Sequence, residues 1–374
     1  MKMLITKIIH KLLKFKKYLE IKSTGEKHAL ISYVLFPPAP FDFKFIFKTS
    51  HNRFLKCYLM AKVLKLRGYN VHVYDYTNTK IDFSIDYDIF IGHNKTFNVI
   101  AESLNKDCVK VLLTTGSSPY HDNKILFERQ DALQSLKDTK ESFFSSIENI
   151  DWVDKNFKIA DNILMLGNNV ILKTWPYFDP EKVFYYNNVS YIDFKIKKER
   201  KGNFLYLSSI GQLRRGLDLI IESFKGKNEK IYICGPYNEP AFMKYYSIDF
   251  KENKNIVLVG FIDQTSSRFK EIIDDCDFGI LPSASEAISG SVLTMMSHGL
   301  IPIITPQIGY LNVNEYGILI KYPDYISVKD SVEKAIKLSD EEIFLKRNKL
   351  LEQSKYYNVD CFSSNFDSFC EKII

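Results

Sequence analysis

From residue 28 onward the chain alternates short apolar runs with helical patterns, and no other feature constrains its fold as much. "HALISYVLF" (28–36) reads as a buried strand, since its apolar residues run almost without interruption. A Pro-rich loop ("PPAP") follows, then a helix pattern around 51–67 that ends at Gly68. "NVHVYDY", "YDIFIGH", "CVKVLLTTG" and "DNILMLGNN" read as further strands. A second series holds "NFLYLSSI", "EKIYICGP", "NIVLVGFI", "CDFGILPS", "LIPIIT" and "GILIKY", with helix patterns such as "GLDLIIESFKG" and "SSRFKEIIDDC" between them. Strands alternating with helices predict parallel sheets covered on both faces. The stretch 176–201, "PYFDPEKVFYYNNVSYIDFKIKKERK", is aromatic, charged and irregular, and reads as a connection between domains.

A length of 374 residues suits about two domains. We expect a basic amphipathic helix over 1–24 and a first parallel-sheet domain over 25–180. A second such domain then spans 181–355, and a terminal helix over 356–374 is placed to cross back to the first. Hydrophobic content of 45% and aromatic content of 14% suffice for packed cores and argue against disorder. The cysteines Cys57, Cys108, Cys234, Cys276, Cys361 and Cys370 lack close metal-type pairing, and several sit in apolar runs as buried thiols do. With no signal-peptide pattern, the expectation is a reducing, cytoplasmic location.

The net charge of +6 has a single source. Residues 1–22, "MKMLITKIIHKLLKFKKYLEIK", hold seven lysines and one glutamate, leaving a remainder with 44 basic and 44 acidic residues. Leu4, Ile5, Ile8, Ile9, Leu12, Leu13 and Phe15 cluster on one helical face, while Lys7, Lys11, Lys14 and Lys17 fall mostly on the other. The apolar residues are interrupted too often for a transmembrane span. Such a helix can lie on an anionic membrane surface, on the cytoplasmic face, or dock on the protein's own surface. No basic patch with interleaved aromatics occurs elsewhere, so nucleic acid is not an expected partner.

The stretch "FGILPSASEAISGSVLTMMSHGLIPIIT" (278–305) places a lone acid, Glu286, just before Ser289, Gly290 and Ser291, between an apolar strand and a helix pattern. Ligands of open parallel sheets bind beyond the carboxyl ends of the strands. A helix start there offers unpaired backbone N–H groups to a phosphate. Glu286 would repel phosphate but suits sugar hydroxyls, because charge-assisted hydrogen bonds are strong. The plain alternative is that Ser289 caps the helix and Glu286 complements its dipole. A second constellation, "LYLSSIGQLRRGLDLIIESF" (205–224), sets Gly211, Arg214 and Arg215 after the first strand of the second series. A guanidinium there can neutralise a diphosphate bidentately, or it can belong to a solvated basic turn.

On these segments, residues 203–340 resemble the C-terminal domain of GT-B glycosyltransferases, in particular the retaining family 4. "LRRGLDLIIESF" is similar to the family's K-G-[VL]-[DE]-x-L segment, with Arg215 at its phosphate-binding lysine. "NIVLVGFID", with Gly260 and Phe261, is similar to the strand and turn against which the nucleotide base packs. "DDCDFGILPSASEAISGSVLTMMSHGLIPII" is similar to the family's P-S-x-x-E-G-x-G region over about thirty residues in register. In the first domain the resemblance is only architectural. It implies an α/β fold of two Rossmann-like domains facing each other across a cleft. It further implies transfer of a sugar from a nucleotide-diphosphate donor to a glycan or lipid-linked acceptor, with retention and without metal or other cofactor. Glu286 and Arg215 would be catalytic, with Arg214, Gly211, Ser289, Gly290, Ser291, Thr294, Gly260 and Phe261 around the donor.

This chain departs from the family pattern at three places. Thr294 stands where the family has a second glutamate for the ribose. "PPAPFDFKF" replaces a glycine-rich first loop. Thr115 or Gly116 lies near the place of a first-domain histidine, with His121 and His93 as nearby acceptor-side candidates. Asp275 and Asp277 form a D-x-D, but at a helix–strand junction rather than a loop between strands, so no metal site is expected. No nucleophile elbow and no G-x-x-x-x-G-K-[ST] loop occurs. Two other classes remain open: a sugar-nucleotide epimerase of the same shape, and a non-catalytic relative that binds a sugar nucleotide or a partner transferase.

Overall fold

The computed structural model describes residues 18–36, 52–144, 146–175, 179–190, 194, 196 and 199–374. Most of the amphipathic pattern of 1–22 and the "PPAP" loop lie outside the described residues.

The first domain is a seven-stranded sheet in the order β1-β3-β2-β4-β5-β6-β7. Its strands are β1 (Leu19–Ile21), β2 (His28–Tyr33), β3 (Asn70–Asp75), β4 (Ile89–His93), β5 (Val109–Thr114), β6 (Asn162–Leu166) and β7 (Val183–Tyr186). All neighbours are parallel except β1, which pairs antiparallel with β3. Ala29, Leu30 and Ile31 of β2 are fully buried, as expected of a central strand covered on both faces.

Two expectations need correction here. Residues 19–21 are not part of a helix. Leu19 and Ile21 flank Glu20 with period two, and the segment pairs with Val71–Val73 as an edge strand. The 176–201 stretch is likewise not only a connection, because Val183–Tyr186 joins β6 as a seventh strand. The boundary expected at 180 therefore falls one strand early. Half-exposed Val183 and Phe184 weaken the apolar signal of this strand.

The second domain is a parallel six-stranded sheet, β10-β9-β8-β11-β12-β13. It comprises β8 (Asn203–Leu207), β9 (Ile231–Cys234), β10 (Ile256–Gly260), β11 (Cys276–Leu281), β12 (Ile301–Ile304) and β13 (Ile318–Leu319). Successive strands are laid outward from β8 on one side and then, after β10, from β8 again on the other. The gap between β8 and β11 is thus where the winding reverses, and ligands settle beyond strand ends at such points.

Two helices close the chain, Asp340–Gln353 and Val359–Ile373, the second of them the terminal helix expected over 356–374. Ser339 and Glu342 form a reciprocal capping box at the first, and Asn358 caps the second. The last helix lies against the first domain. Arg67 Nε, just past the Asn52–Leu66 helix, donates to Asp367 Oδ1 at 2.6 Å, Phe184 of β7 meets Phe369 at 5.0 Å between ring centroids, and Tyr186 meets Phe362. Phe369→Ala should therefore cost about 3–5 kcal/mol, read as a lowered urea midpoint. An unchanged midpoint would show that this helix is not fastened.

Candidate functional site

Residues 208–216 leave the carboxyl end of β8, and residues 282–289 leave that of β11. The two loops are stitched together. Ala284 N donates to Arg214 O at 3.0 Å, and Ser283 Oγ donates to the same carbonyl at 3.4 Å. Gly216 takes φ +73, and a Cβ there would lie 2.6 Å from the Pro282 carbonyl oxygen. Only glycine permits both the left-handed backbone and this approach.

The stitch brings the two principal sequence candidates into contact. Arg215 Nη1 forms an ion pair with Glu286 Oε2, and both side chains are largely buried. Burial and the neighbouring Arg214 charge pull the Arg215 guanidinium down to about 10, so it stays charged at neutral pH. Ser289, itself buried, precedes the Gly290–Ser297 helix without a side-chain capping bond, so its hydroxyl does not spend the helix's first N–H groups. Its carbonyl accepts from Tyr310 Oη at 2.9 Å. Gly290 and Ser291 open the helix, half-buried.

Side chains of the first domain reach this turn, and sequence reading missed them. Asp122, in the first turn of the Pro119–Lys137 helix, accepts from both Arg214 Nη1 and Ser285 Oγ. Ser117 Oγ donates to Glu286 O at 2.6 Å. Asn188 Nδ2 donates to Ile288 O at 2.9 Å, and a Cβ at Gly290 would sit 3.4 Å from Asn52 Nδ2 and 3.6 Å from Asn188 Nδ2. No local pattern distinguishes Asp122 or Asn188 from other loop and helix residues.

Unspent hydrogen-bonding capacity marks the turn. Arg215 Nε, both amide atoms of Gln212 and His121 Nε2 are buried without a partner. Buried polar atoms in native proteins are nearly always paired, so these atoms have capacity to bond a ligand or water. Glu239 accepts from the backbone N–H groups of Gln212 and Gly211 while burial raises its pKa. Gly211 (φ +98) is open to one side, with Arg214 Nε 3.9 Å from a built Cβ.

Thr294 Oγ1 donates to Gln264 Oε1 at 3.4 Å. Gln264 lies in the loop opened by Gly260 (φ +75) and Phe261, a residue 86% exposed. Thr294 and the base-side turn are thus near each other. Of the acceptor-side candidates, Thr115 is half-buried just past β5, and His121 adjoins Asp122, with burial lowering its pKa. His93 lies among first-domain aromatics, its ring edge-on to Tyr33 and Tyr76.

Asp275 and Asp277 are occupied by other partners. Asp277 is buried, accepting from Lys201 N, Gly202 N and Arg347 Nη2. Asp275 accepts from Asn203 Nδ2 and Tyr232 Oη. Among the described residues no cluster of three or more His, Cys, Asp or Glu side chains is placed to hold a metal ion.

Against this geometry, residues 191–356 match the family model described as glycosyl transferases group 1. No curated protein sequence matches the chain. Among solved structures, the fold resembles a mutant of TarM from S. aureus, crystallised with fondaparinux, alpha-GlcNAc-glycerol and UDP (15% identity, TM-score 0.54, 74% of this chain and 54% of that one). It also resembles sucrose-phosphate synthase of Thermosynechococcus elongatus (10% identity, TM-score 0.63, 93% and 98%). A third is Anabaena HepE in complex with UDP (10% identity, TM-score 0.61, 93% and 100%). The chain spans about half the length of the TarM chains it matches. The two parallel-sheet domains have the GT-B architecture.

The seam between the domains is polar and partly buried. Arg129, from the Pro119–Lys137 helix, pairs with Asp218 and donates to Pro323 O at 3.2 Å, with both charged side chains nearly inaccessible. Lys137 pairs with Glu222 at 2.9 Å. Arg129→Ala would leave Asp218 buried without its partner, at a cost of about 3–5 kcal/mol. Urea denaturation should show this loss, and a cost below about 1 kcal/mol would place the pair among weak surface ion pairs.

Proposed function

We propose that the protein is a glycosyltransferase that moves a sugar from a nucleotide-diphosphate donor to a glycan or lipid-linked acceptor, with retention and without a metal ion. The observation that carries this reading is the contact of Arg215 with Glu286 at the β8/β11 reversal, beside a helix start and unpaired Gln212.

The ion pair defines what a donor would do on arrival. Its diphosphate competes with Glu286 for Arg215, since guanidinium binds phosphate and carboxylate in the same forked way. Glu286, released, turns its carboxylate to the hydroxyls of the donor sugar. The first N–H groups of the Gly290–Ser297 helix and Arg214 add positive potential around the phosphates. As the bond from the anomeric carbon to phosphate breaks, negative charge grows on the leaving diphosphate, where Arg215 stabilises it. The acceptor hydroxyl is brought in from the first-domain side of the seam; its oxygen bonds to the anomeric carbon as its proton passes to the leaving diphosphate, and its positioning supplies the rest of the rate. Thr294 and the Gly260–Phe261 turn would receive the nucleoside.

Glu286→Ala and Arg215→Ala should each lower transfer by about 100- to 1,000-fold if they act on transition-state charge, as read by release of nucleoside diphosphate with a nucleotide-sugar panel. Near-normal rates in both variants would reject the assignment. A second reading, a sugar-nucleotide-binding relative without turnover, is favoured by Thr294 standing where a carboxylate would hold the ribose. Donor binding without turnover in the wild-type protein would select it.

The amino-terminal segment would bring such an enzyme to a membrane-held acceptor. Among the described residues no helix is long and apolar enough to cross a membrane, and the seven lysines of residues 1–22 suit adsorption. Removing residues 1–17, which leaves β1 in place, should abolish co-sedimentation with anionic liposomes. Co-sedimentation equal to that of the full chain would refute this part.

A further inference from the structure

The first sheet has its own reversal point, between β2 and β4 in the order β3-β2-β4. Tyr33 ends β2, His93 ends β4 and Thr114 ends the adjacent β5, so all three stand where a parallel sheet receives ligands. Lys56, on the Asn52–Leu66 helix, is 4% exposed, and its Nζ lies 5.6 Å from the centroid of the Tyr186 ring, at the end of β7. Tyr186 Oη in turn donates to Thr114 O at 3.4 Å. The Tyr33 and His93 rings meet edge to face at 5.3 Å.

This cluster has a charge without a counter-charge. Among the described residues no carboxylate pairs with Lys56 and no hydrogen bond to its ammonium is made. The other charge acting on it is Arg53, also positive, three residues earlier and exposed. Burial pulls the Lys56 ammonium down to about 7, the usual consequence of desolvating an unpaired cation. The Tyr33 hydroxyl (residue 1% exposed) and Thr114 Oγ1 (3%) are buried with no partner. His93 Nδ1 donates to Leu113 O at 2.9 Å, and burial lowers its pKa to about 4, so the ring is neutral at pH 7 and does not compete with Lys56 for an anion.

We propose that Lys56, Tyr33 and Thr114, at the carboxyl ends of the first sheet, form a site for an oxyanion, phosphate or carboxylate, borne by the acceptor. That the anion belongs to an acceptor rests on the transferase reading; the anion site itself does not. The site is distinct from the donor turn but close to it. Asn52 faces Gly290, and Lys56 follows one helical turn later, about 6 Å along the axis. The donor phosphates already have Arg214 and Arg215 on the opposite domain. An anion beside Lys56 would hold an acidic acceptor by its first domain while a hydroxyl of the same molecule reaches the seam.

The test is calorimetric titration of the full-length protein with inorganic phosphate and with acetate, in saturating UDP to fill the donor turn. Wild type should bind one of the two probes, Lys56→Met should bind it at least tenfold more weakly, and UDP affinity should stay within twofold. Lys56→Met removes a buried charge and is expected to keep its melting temperature. Tyr33→Phe, which deletes only a hydroxyl, should weaken the same probe at least threefold and serves if Lys56→Met does not fold. The proposal is overturned by neither probe binding, by equal binding to wild type and variants, or by loss of UDP together with the probe, which would assign Lys56 to the donor. Absence of UDP binding in wild type counts against the transferase reading alone, and the same comparison without UDP then decides the anion site.

Discussion

The close approach of Gly216 to Pro282 is the constraint on which the site depends. It presses the loop after β8 against the loop after β11, two segments far apart in sequence and neighbours only because the sheet reverses its winding between them. The Arg214 carbonyl, bonded to Ala284 N and reached by Ser283 Oγ, fixes the backbone. Once it is fixed, Arg215 has little choice but to face Glu286. A carboxylate and a guanidinium aligned in a mostly buried turn satisfy each other as an ion pair, while Arg215 Nε remains unpaired.

The seam between the domains uses the same chemistry on a larger scale. Asp122 joins Arg214 and Ser285 from the other domain, and Arg129 and Lys137 carry the contact down one helix onto Asp218 and Glu222. Charged seams of this kind are directional. They hold register between two rigid sheets, whereas an apolar seam would tolerate sliding, and the buried Arg129–Asp218 pair is costly to break from one side. The terminal helix adds an apolar fastening on the first domain through Phe362, Phe366 and Phe369.

Much of this was legible in the residues. The strands of both sheets were readable, except β1 and β7, because uninterrupted apolar runs can only be buried strands when they recur between helical patterns. β1 hid at the end of an amphipathic pattern, and β7 among half-exposed aromatics, since edge strands bury less and leave a weaker trace. Glu286, Arg215 and the Ser289–Ser291 turn were visible because strand–small-residue–helix junctions have a local signature. Asp122, Asn188, Asn52 and the unpaired Lys56 were not. Each sits in an ordinary helix or loop and acquires meaning only from what another domain or strand end places opposite it.

The sequence by itself determined the fold class, the division into two sheets and the small-residue turns at the strand ends, because these follow from local periodicity and from residue chemistry at strand ends. The tertiary structure alone decided that Glu286 is spent on Arg215, that the first domain supplies Asp122, Ser117 and Asn188 to the same turn, and that Lys56 is buried without an acid. Those outcomes depend on contacts between residues up to 169 positions apart, which local pattern does not encode. Strand order sets them, by choosing which loop ends meet.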